Sequence, residues 1–562
     1  MTSLTRSTPR MLTAAAISIA TLLPAAARAS QAPAAPRVQL PHGEIEGLHL
    51  RASGTDLRAF RGIPYAAPPT GSYRWRAPQP IPRWAGVRQA TQFAPRCMQH
   101  SQDTTSFRSK AMSEDCLYLN VWSPARDGNA KLPVLVYFHG GGFQAGDASK
   151  ARYDGANLAS RGIVMVTVNY RLGIFGFLAH PDAARESSHR SAGNYGLLDQ
   201  HAALRWVREN IERFGGDPSK VTIGGMSAGA ISVSAHMASP LSKGLFARAI
   251  GESGAAFKPI NPWRRGEADT AATLFSEHMR APTLEALRAI PAQALLEATG
   301  PADKPRFAFW PHIDGYFLDV APESVFRHGM QAKVPLLVGL NSHERPLSML
   351  LEHEAPTPDN WRFAIGSLFR DHASEALTHY PGNDPDQITR SGLALASDLF
   401  VGHSVWQWMN LHRTTSDAPI YFYRYTHPHP GRGSADRTDG QPRAKGAEHG
   451  VEVEYALGNL DNEPGYAWTP DDRKVATTFS GYIERFVKTG DPNRLNEGSG
   501  AGSIDSDGAL SGLALPRWPS VRERTDGIAR QSIGARTVTE SVNDAARHAF
   551  MQRFFEERLI DD

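Results

Sequence analysis

The chain has 562 residues, 41% of them hydrophobic and 21% charged, which is enough to build a large core and, by length alone, two or three domains. That composition excludes a disordered or collagen-like chain, and no repeat at a fixed period marks a solenoid. With 60 basic against 57 acidic side chains and no basic run, a nucleic-acid or polyanion partner is excluded too.

Arg6 and Arg10 precede an apolar, alanine-rich stretch from Met11 to Ala27, and Ala27-Arg28-Ala29 has the A-x-A form of a cleavage site. Residues 1–29 are therefore expected to be a secretory signal peptide. The alternative, an N-terminal membrane anchor, needs a longer stretch than one broken by Pro24. No arginine pair precedes the apolar stretch, so a Sec-type route to a periplasmic or secreted location is expected. Three arginines lie in this segment, so the mature chain would carry 57 basic and 57 acidic side chains. Residues 30–37, around Gln31-Ala-Pro-Ala-Ala-Pro36, form a short linker. From Val38 to Arg61, apolar and polar residues alternate around glycines 43, 47 and 54, which predicts a small antiparallel strand set. The two cysteines of the chain, Cys97 and Cys116, pair as one disulfide in an exported protein and would otherwise be buried thiols. Without a CxxC pair or HExxH, neither a metal nor a cofactor is implied.

Apolar runs at Leu117–Trp122, Val134–Phe138, Ile163–Asn169, Val221–Ile223 and Val334–Gly339 predict buried strands of a mostly parallel sheet. Helical patterns lie between them, the clearest at Gly196–Phe214, and the alternation gives an α/β architecture. His427–Gly446 and Thr489–Gly512 are rich in Gly, Pro, Ser and charge and predict surface loops. Two motifs carry chemistry. Val221-Thr-Ile-Gly-Gly-Met-Ser-Ala-Gly-Ala230 has the pattern of strand, tight turn and helix, with Ser227 at the apex of G-x-S-x-G. Upstream, Pro133-Val-Leu-Val-Tyr-Phe ends in His139-Gly-Gly-Gly142, whose backbone N–H groups suit an oxyanion hole. Together they predict a serine hydrolase.

Several further stretches, in order, resemble the type-B carboxylesterases, the cholinesterase-like branch of the α/β-hydrolases. They are Phe60-Arg-Gly-Ile-Pro-Tyr-Ala66, Glu114-Asp-Cys-Leu-Tyr-Leu-Asn-Val121, Gly193-Asn-Tyr-Gly-Leu-Leu-Asp199, Phe214-Gly-Gly-Asp-Pro218, Asp314-Gly315, Gly339-Leu-Asn-Ser-His-Glu344, Gly446-Ala-Glu-His449 and Thr489-Gly-Asp-Pro-Asn493. The resemblance implies one α/β-hydrolase domain over residues 38–562 with long insertions, acting on a small-molecule ester without stable membrane insertion. It places the nucleophile at Ser227, the acid at Glu344 and the base at His449. The oxyanion hole falls on the N–H groups of Gly141, Gly142 and Ala228, where a side chain at 141 or 142 would crowd the acyl carbonyl. Cys97 and Cys116 match the family's first disulfide loop, Arg61 and Glu114 a structural ion pair, and Ser253 a serine near the triad acid.

Departures from the family pattern refine the expected substrate. Met226 stands where Glu is usual before the nucleophile, Leu347 where cholinesterases carry an aromatic, and the Cys97–Cys116 loop lacks tryptophan. A choline site built on cation–π contacts is therefore not expected, and neutral small-to-medium esters are. Carbamates, amides and bulky natural-product or xenobiotic esters are the alternatives, since a triad does not separate them. A non-catalytic binding domain is the reading from a different class, opposed by the presence of every triad and oxyanion residue. Phe307 and Phe309 either narrow the acyl side of the pocket or pack in the core. Arg345 is either a solvated side chain or a ligand for an acidic substrate. His427 and His429 are read as loop residues before metal ligands.

Overall fold

Val134, Val136 and Phe138 pack into one apolar cluster while Leu135 and Tyr137 pack into another, so this strand is covered on both faces. A strand covered on both sides has no polar face to alternate with, which is why its sequence is an unbroken apolar run. The computed structural model describes residues 1–3, 34–100, 106–301, 304–431, 445–494 and 514–561. The chain divides into Met1–Ala35 and a second unit, Pro36–Asp562, which carries the sheet. Nearly all of the expected signal peptide and linker lies outside the described residues, as do the central parts of the two expected loops.

Among the described residues, eleven strands form one sheet. In chain order they are β1 (Leu48–Ala52), β2 (Thr55–Pro64), β3 (Tyr118–Ser123), β4 (Leu132–Phe138), β5 (Val164–Val168), β6 (Gly216–Met226), β7 (Arg248–Glu252), β8 (Leu336–Asn341), β9 (Ile420–Tyr425), β10 (Ile528–Ile533) and β11 (Val538–Val542). Their spatial order is β11-β10-β9-β8-β7-β6-β4-β5-β3-β2-β1. The stretch from β10 through to β5 is parallel, while β11 at one edge and β3, β2 and β1 at the other are antiparallel. This is the α/β-hydrolase fold, with helices on the faces of a mostly parallel sheet.

The five expected strands are all present, and Gly196–Phe214 is the helix Tyr195–Asn210 continued by a tighter turn to Phe214. The expected antiparallel set is split. Arg37–Leu40 and Gly43–Glu46 pair in a separate small sheet, whereas β1 and β2 extend the edge of the main one. Cys97 and Cys116 are joined as a disulfide, and Cys116 leads directly into β3. On the chain-entropy account a loop of this length stabilises by about 3 kcal/mol. His427, expected in a surface loop, is buried, and its Nε2 lies 2.6 Å from Asp472. His429 packs against Tyr466 and Trp468.

Candidate active site

At the C-terminal end of β6 the chain reaches Ser227 and turns at once into the helix Ala228–Ala238. Ser227 has φ 56° and ψ −120°, a conformation that costs a non-glycine residue roughly 1–3 kcal/mol. Three contacts hold it there. Its N–H donates to Glu252 O at 2.8 Å, and its carbonyl accepts from Ile231 N–H at 2.9 Å. Each such bond is worth about 1 kcal/mol. The third contact is packing: a Cβ on Gly229 would fall 2.1 Å from Phe138 O, so the first helical turn rests directly on the end of β4. The helix is buried throughout, yet Ser227 keeps part of its surface exposed. The strain therefore aims one hydroxyl outward from an otherwise closed junction.

His139-Gly-Gly-Gly142 follows β4 and abuts that turn, for a Cβ on Gly140 would lie 3.2 Å from Ser227 Cβ. The imidazole of His139 is buried, which pulls its pKa down to about 4. It is thus neutral at ordinary pH, with Nδ1–H donating to Gly140 O at 2.9 Å and its ring stacked on Tyr170. Gly141 has φ +122° and a Cβ there would sit 2.0 Å from Ala145 O, so the collision is with the loop itself. Gly142 has φ +60° and nothing within 4 Å of a Cβ, so there only the backbone angle favours glycine. The N–H groups of Gly141 and Gly142 donate to no described residue. The N–H of Ala228, first in its helix, has no intrahelical acceptor. Unsatisfied donors at a helix N-terminus favour developing negative charge.

Glu344 and His449 come from two turns fastened to each other. β8 ends at Asn341, and beyond it His343 N–H donates to Ala447 O at 2.8 Å while Ala447 N–H donates to Ser342 Oγ at 3.1 Å. Asn341 Nδ2 donates to Glu448 O at 2.6 Å. Within this frame Glu344 is buried and accepts twice, from Asn341 N–H and from His449 Nδ1–H, each at 2.6 Å. Burial opposes the imidazolium, but the charge and hydrogen bond of Glu344 outweigh it and hold His449 above its ordinary pKa. Gly450, next to His449, meets Met226, next to Ser227: a Cβ on Gly450 would lie 2.9 Å from Met226 Cε. The histidine turn and the serine turn are thereby neighbours.

Behind Glu344 lie two carboxyls that the sequence reading did not single out. Glu452 accepts from Asn341 Nδ2 and, at 3.4 Å, from Ser253 Oγ; burial and the charge of Glu344 raise its pKa. Glu252 accepts from Tyr137 OH at 3.2 Å and is raised by burial and by Glu452. Both are thus pushed toward the neutral form, and what charge Glu452 keeps adds to that of Glu344 in raising His449. The signals were present as Glu-His449-Gly-Val-Glu452 and Gly-Glu252-Ser253-Gly. Ser253 touches Glu452 rather than Glu344.

The expected pocket residues divide. Met226 is buried against Gly140 and Gly450, at the floor between the glycine loop and the histidine turn. Leu347 turns away: its Cδ1 occupies the space a Cβ on Gly392 would need, in the satellite cluster that includes Trp361 and Ile388. Phe307 and Phe309 both pack edge-on against Phe275, and Phe309 is buried. The aromatics that meet Phe143, at the end of the glycine loop, are Trp310 and Phe177, with ring centroids 5.1 and 5.2 Å away. The expected ion pair of Glu114 with Arg61 is corrected, because Glu114 takes Arg74 in a two-pronged bond at 2.6 and 2.7 Å. Arg61 instead stacks on Phe93. Two arginines thirteen residues apart flank the same strand edge, and the motif spacing did not separate them. A cleft of about 590 Å³ lined by Trp75, Tyr195 and Trp206 contains none of Ser227, Glu344 and His449.

A family model described as the carboxylesterase family matches residues 34–546. Fumonisin B1 esterase of Sphingopyxis macrogoltabida is 36% identical over 427 residues, 74% of each chain. Para-nitrobenzyl esterase of Bacillus subtilis is 34% identical over 470 residues, covering 80% of this chain and 89% of that one. Carboxylesterase 4A of Bos taurus is 31% identical over 524 residues, covering 86% and 89%.

Proposed function

The chain belongs to the carboxylesterase family and is a carboxylic-ester hydrolase, and from that premise we propose that Ser227, His449 and Glu344 form its catalytic triad. His449 Nε2 takes the hydroxyl proton as Ser227 Oγ attacks the ester carbonyl. The oxyanion of the tetrahedral intermediate accepts from the N–H groups of Gly141, Gly142 and Ala228, each donor lowering the barrier by about 3–4 kcal/mol. The intermediate collapses to an acyl-enzyme, and His449 passes its proton to the departing alcohol. Water, deprotonated by the same imidazole, then releases the acid. Glu344 fixes the proton on Nδ1 and stabilises the imidazolium. The observation that carries this reading is the Glu344–His449 hydrogen bond at 2.6 Å, set on a turn next to the strained Ser227.

The substrate is a neutral ester of small to medium size, since Met226 adds no charge to the floor of the cleft. A second reading, a bulky natural-product ester, draws support from the relative named for fumonisin B1 and from an open depression of about 360 Å³ that includes Phe400, whose ring meets that of His449. A panel of p-nitrophenyl esters of increasing acyl length, run on wild type and Ser227→Ala, tests both. Ser227-dependent turnover that falls steadily beyond a medium-length acyl chain supports the first, and turnover that keeps rising supports the second. Export completes the proposal. The secreted protein begins near Ser30 and shows no free thiol by mass spectrometry without reductant, whereas an uncleaved N-terminus contradicts export.

A further inference from the structure

Among the described residues, Arg345 beside the site has no carboxylate partner. Arg345 follows Glu344 in sequence, is exposed, and lays its guanidinium over the ring of Phe400, 3.9 Å from the centroid. The edge of Phe400 in turn meets the ring of His449, with centroids 5.0 Å apart at 68°. Among the described residues no Asp or Glu forms an ion pair with Arg345, whereas Arg152 has Glu454 and Arg74 has Glu114. Arg345, Phe400, Ser348 and Met349 line the same open depression of about 360 Å³. The charge of Arg345 is also close enough to oppose protonation of His449.

These facts make a recognition element. Stacking on an aromatic face pins a guanidinium without using any of its N–H donors, so the fork stays available and less side-chain entropy is lost when it binds. A planar fork of this kind matches a carboxylate in a two-pronged hydrogen bond. Its place relative to His449 says which part of a substrate reaches it. The imidazole gives its proton to the leaving alcohol oxygen, so the alcohol portion passes His449 and continues over Phe400.

We propose that Arg345, held on Phe400, is a specificity-determining residue that binds a carboxylate carried on the alcohol portion of the ester. This deepens the function proposed above and rests on His449 being the acid that protonates the leaving group. Neutral esters remain substrates, and an acidic alcohol portion adds affinity in the same cleft.

The test compares two butyrate esters that differ by one methyl group and one charge, those of 3-hydroxybenzoic acid and of its methyl ester, at a pH above the titration of His449. In wild type, kcat/KM for the acid exceeds that for the methyl ester. Arg345→Gln lowers the ratio of the two by about tenfold, the worth of one two-pronged charge-assisted contact, and Arg345→Glu inverts it. Arg345→Lys keeps part of the preference, and added salt erodes the wild-type ratio. Phe400→Leu, which removes the platform but not the charge, weakens the preference through KM. If the ratio is the same in wild type, Arg345→Gln and Arg345→Glu, the proposal is overturned. A preference for a carboxylate on the acyl side, measured with butyl hydrogen succinate against butyl methyl succinate and lost in Arg345→Gln, also overturns the assignment to the alcohol side. The methyl ester separates the two levels of the argument. If its hydrolysis does not depend on Ser227, the proposed function fails. If it does but the ratio ignores Arg345, only this inference fails.

Discussion

The reaction centre and the mouth of the cleft are built by different rules. At the centre, backbone meets backbone: Gly229 on Phe138 O, Gly141 on Ala145 O, and the turn after β8 bonded to the turn bearing His449. At the mouth, side chains meet one another, as where Arg345 lies on Phe400 and the ring of Phe400 meets that of His449. Backbone contacts of the first kind admit one residue type and leave a motif. Side-chain contacts of the second kind admit many solutions. The centre is therefore constrained by sterics and the mouth by packing, so the mouth is the part free to set the substrate.

The largest effect that tests this contrast is at the proposed nucleophile. Ser227→Ala abolishes turnover of p-nitrophenyl butyrate while circular dichroism and melting stay those of wild type. Retained wild-type turnover contradicts the assignment. Glu344→Gln keeps the shape and removes the charge behind His449, lowering kcat by orders of magnitude. A value within about threefold of wild type means that another acid serves.

Next comes steric intolerance. Gly229→Ala drives a methyl group to 2.1 Å from Phe138 O and costs at least the roughly 1–3 kcal/mol of an overpacked core. Phe363→Ala, on a side chain 77% exposed in a helix of the insertion, changes stability by less than about 0.5 kcal/mol. Comparable melting temperatures for the two variants would erase the distinction drawn between centre and mouth.

A smaller effect lies in pH. As the proposed base His449 works only when neutral, and its pKa is raised, so the proposal predicts that kcat/KM falls as pH drops through a midpoint above the ordinary 6.5. Glu452 is among the groups that raise it, so Glu452→Gln shifts the midpoint down. An unmoved midpoint removes Glu452 from the electrostatics of the site. Smallest is the charge preference at the floor. Butyrylcholine has lower kcat/KM than a neutral butyrate of similar size, and Met226→Glu narrows the gap.

How much was legible follows the same division. β4, β5 and the turn at Ser227 were readable because burial on both faces gives unbroken apolar runs and because a side chain would collide with backbone at Gly141 and Gly229. β7 leaves no such run in the sequence, because Arg-Ala-Ile-Gly-Glu holds too few large apolar residues to stand out, and a Cβ on Gly251 would collide with Trp408. β11 is a polar edge strand with little burial to impose a pattern. Glu114 was read with Arg61 rather than Arg74, since linear spacing does not reveal which guanidinium reaches a carboxylate from a neighbouring loop. Glu452 and Glu252 escaped notice for a related reason: a carboxyl declares its role only once its burial and its neighbours are known. Phe400 reaches His449 from a helix far along the chain, and no local motif reports such an approach.

The central claim, that one strained serine carries the chemistry, is tested most directly by covalent trapping. The purified protein is treated with a small fluorophosphonate ester, which mimics the tetrahedral intermediate, and the site is mapped by intact mass and peptide sequencing. The account predicts a single adduct on Ser227, loss of esterase activity in step with labelling, and no adduct in Ser227→Ala or after unfolding. An adduct on another residue that tracks the loss of activity, or full inactivation with Ser227 unmodified, would contradict it.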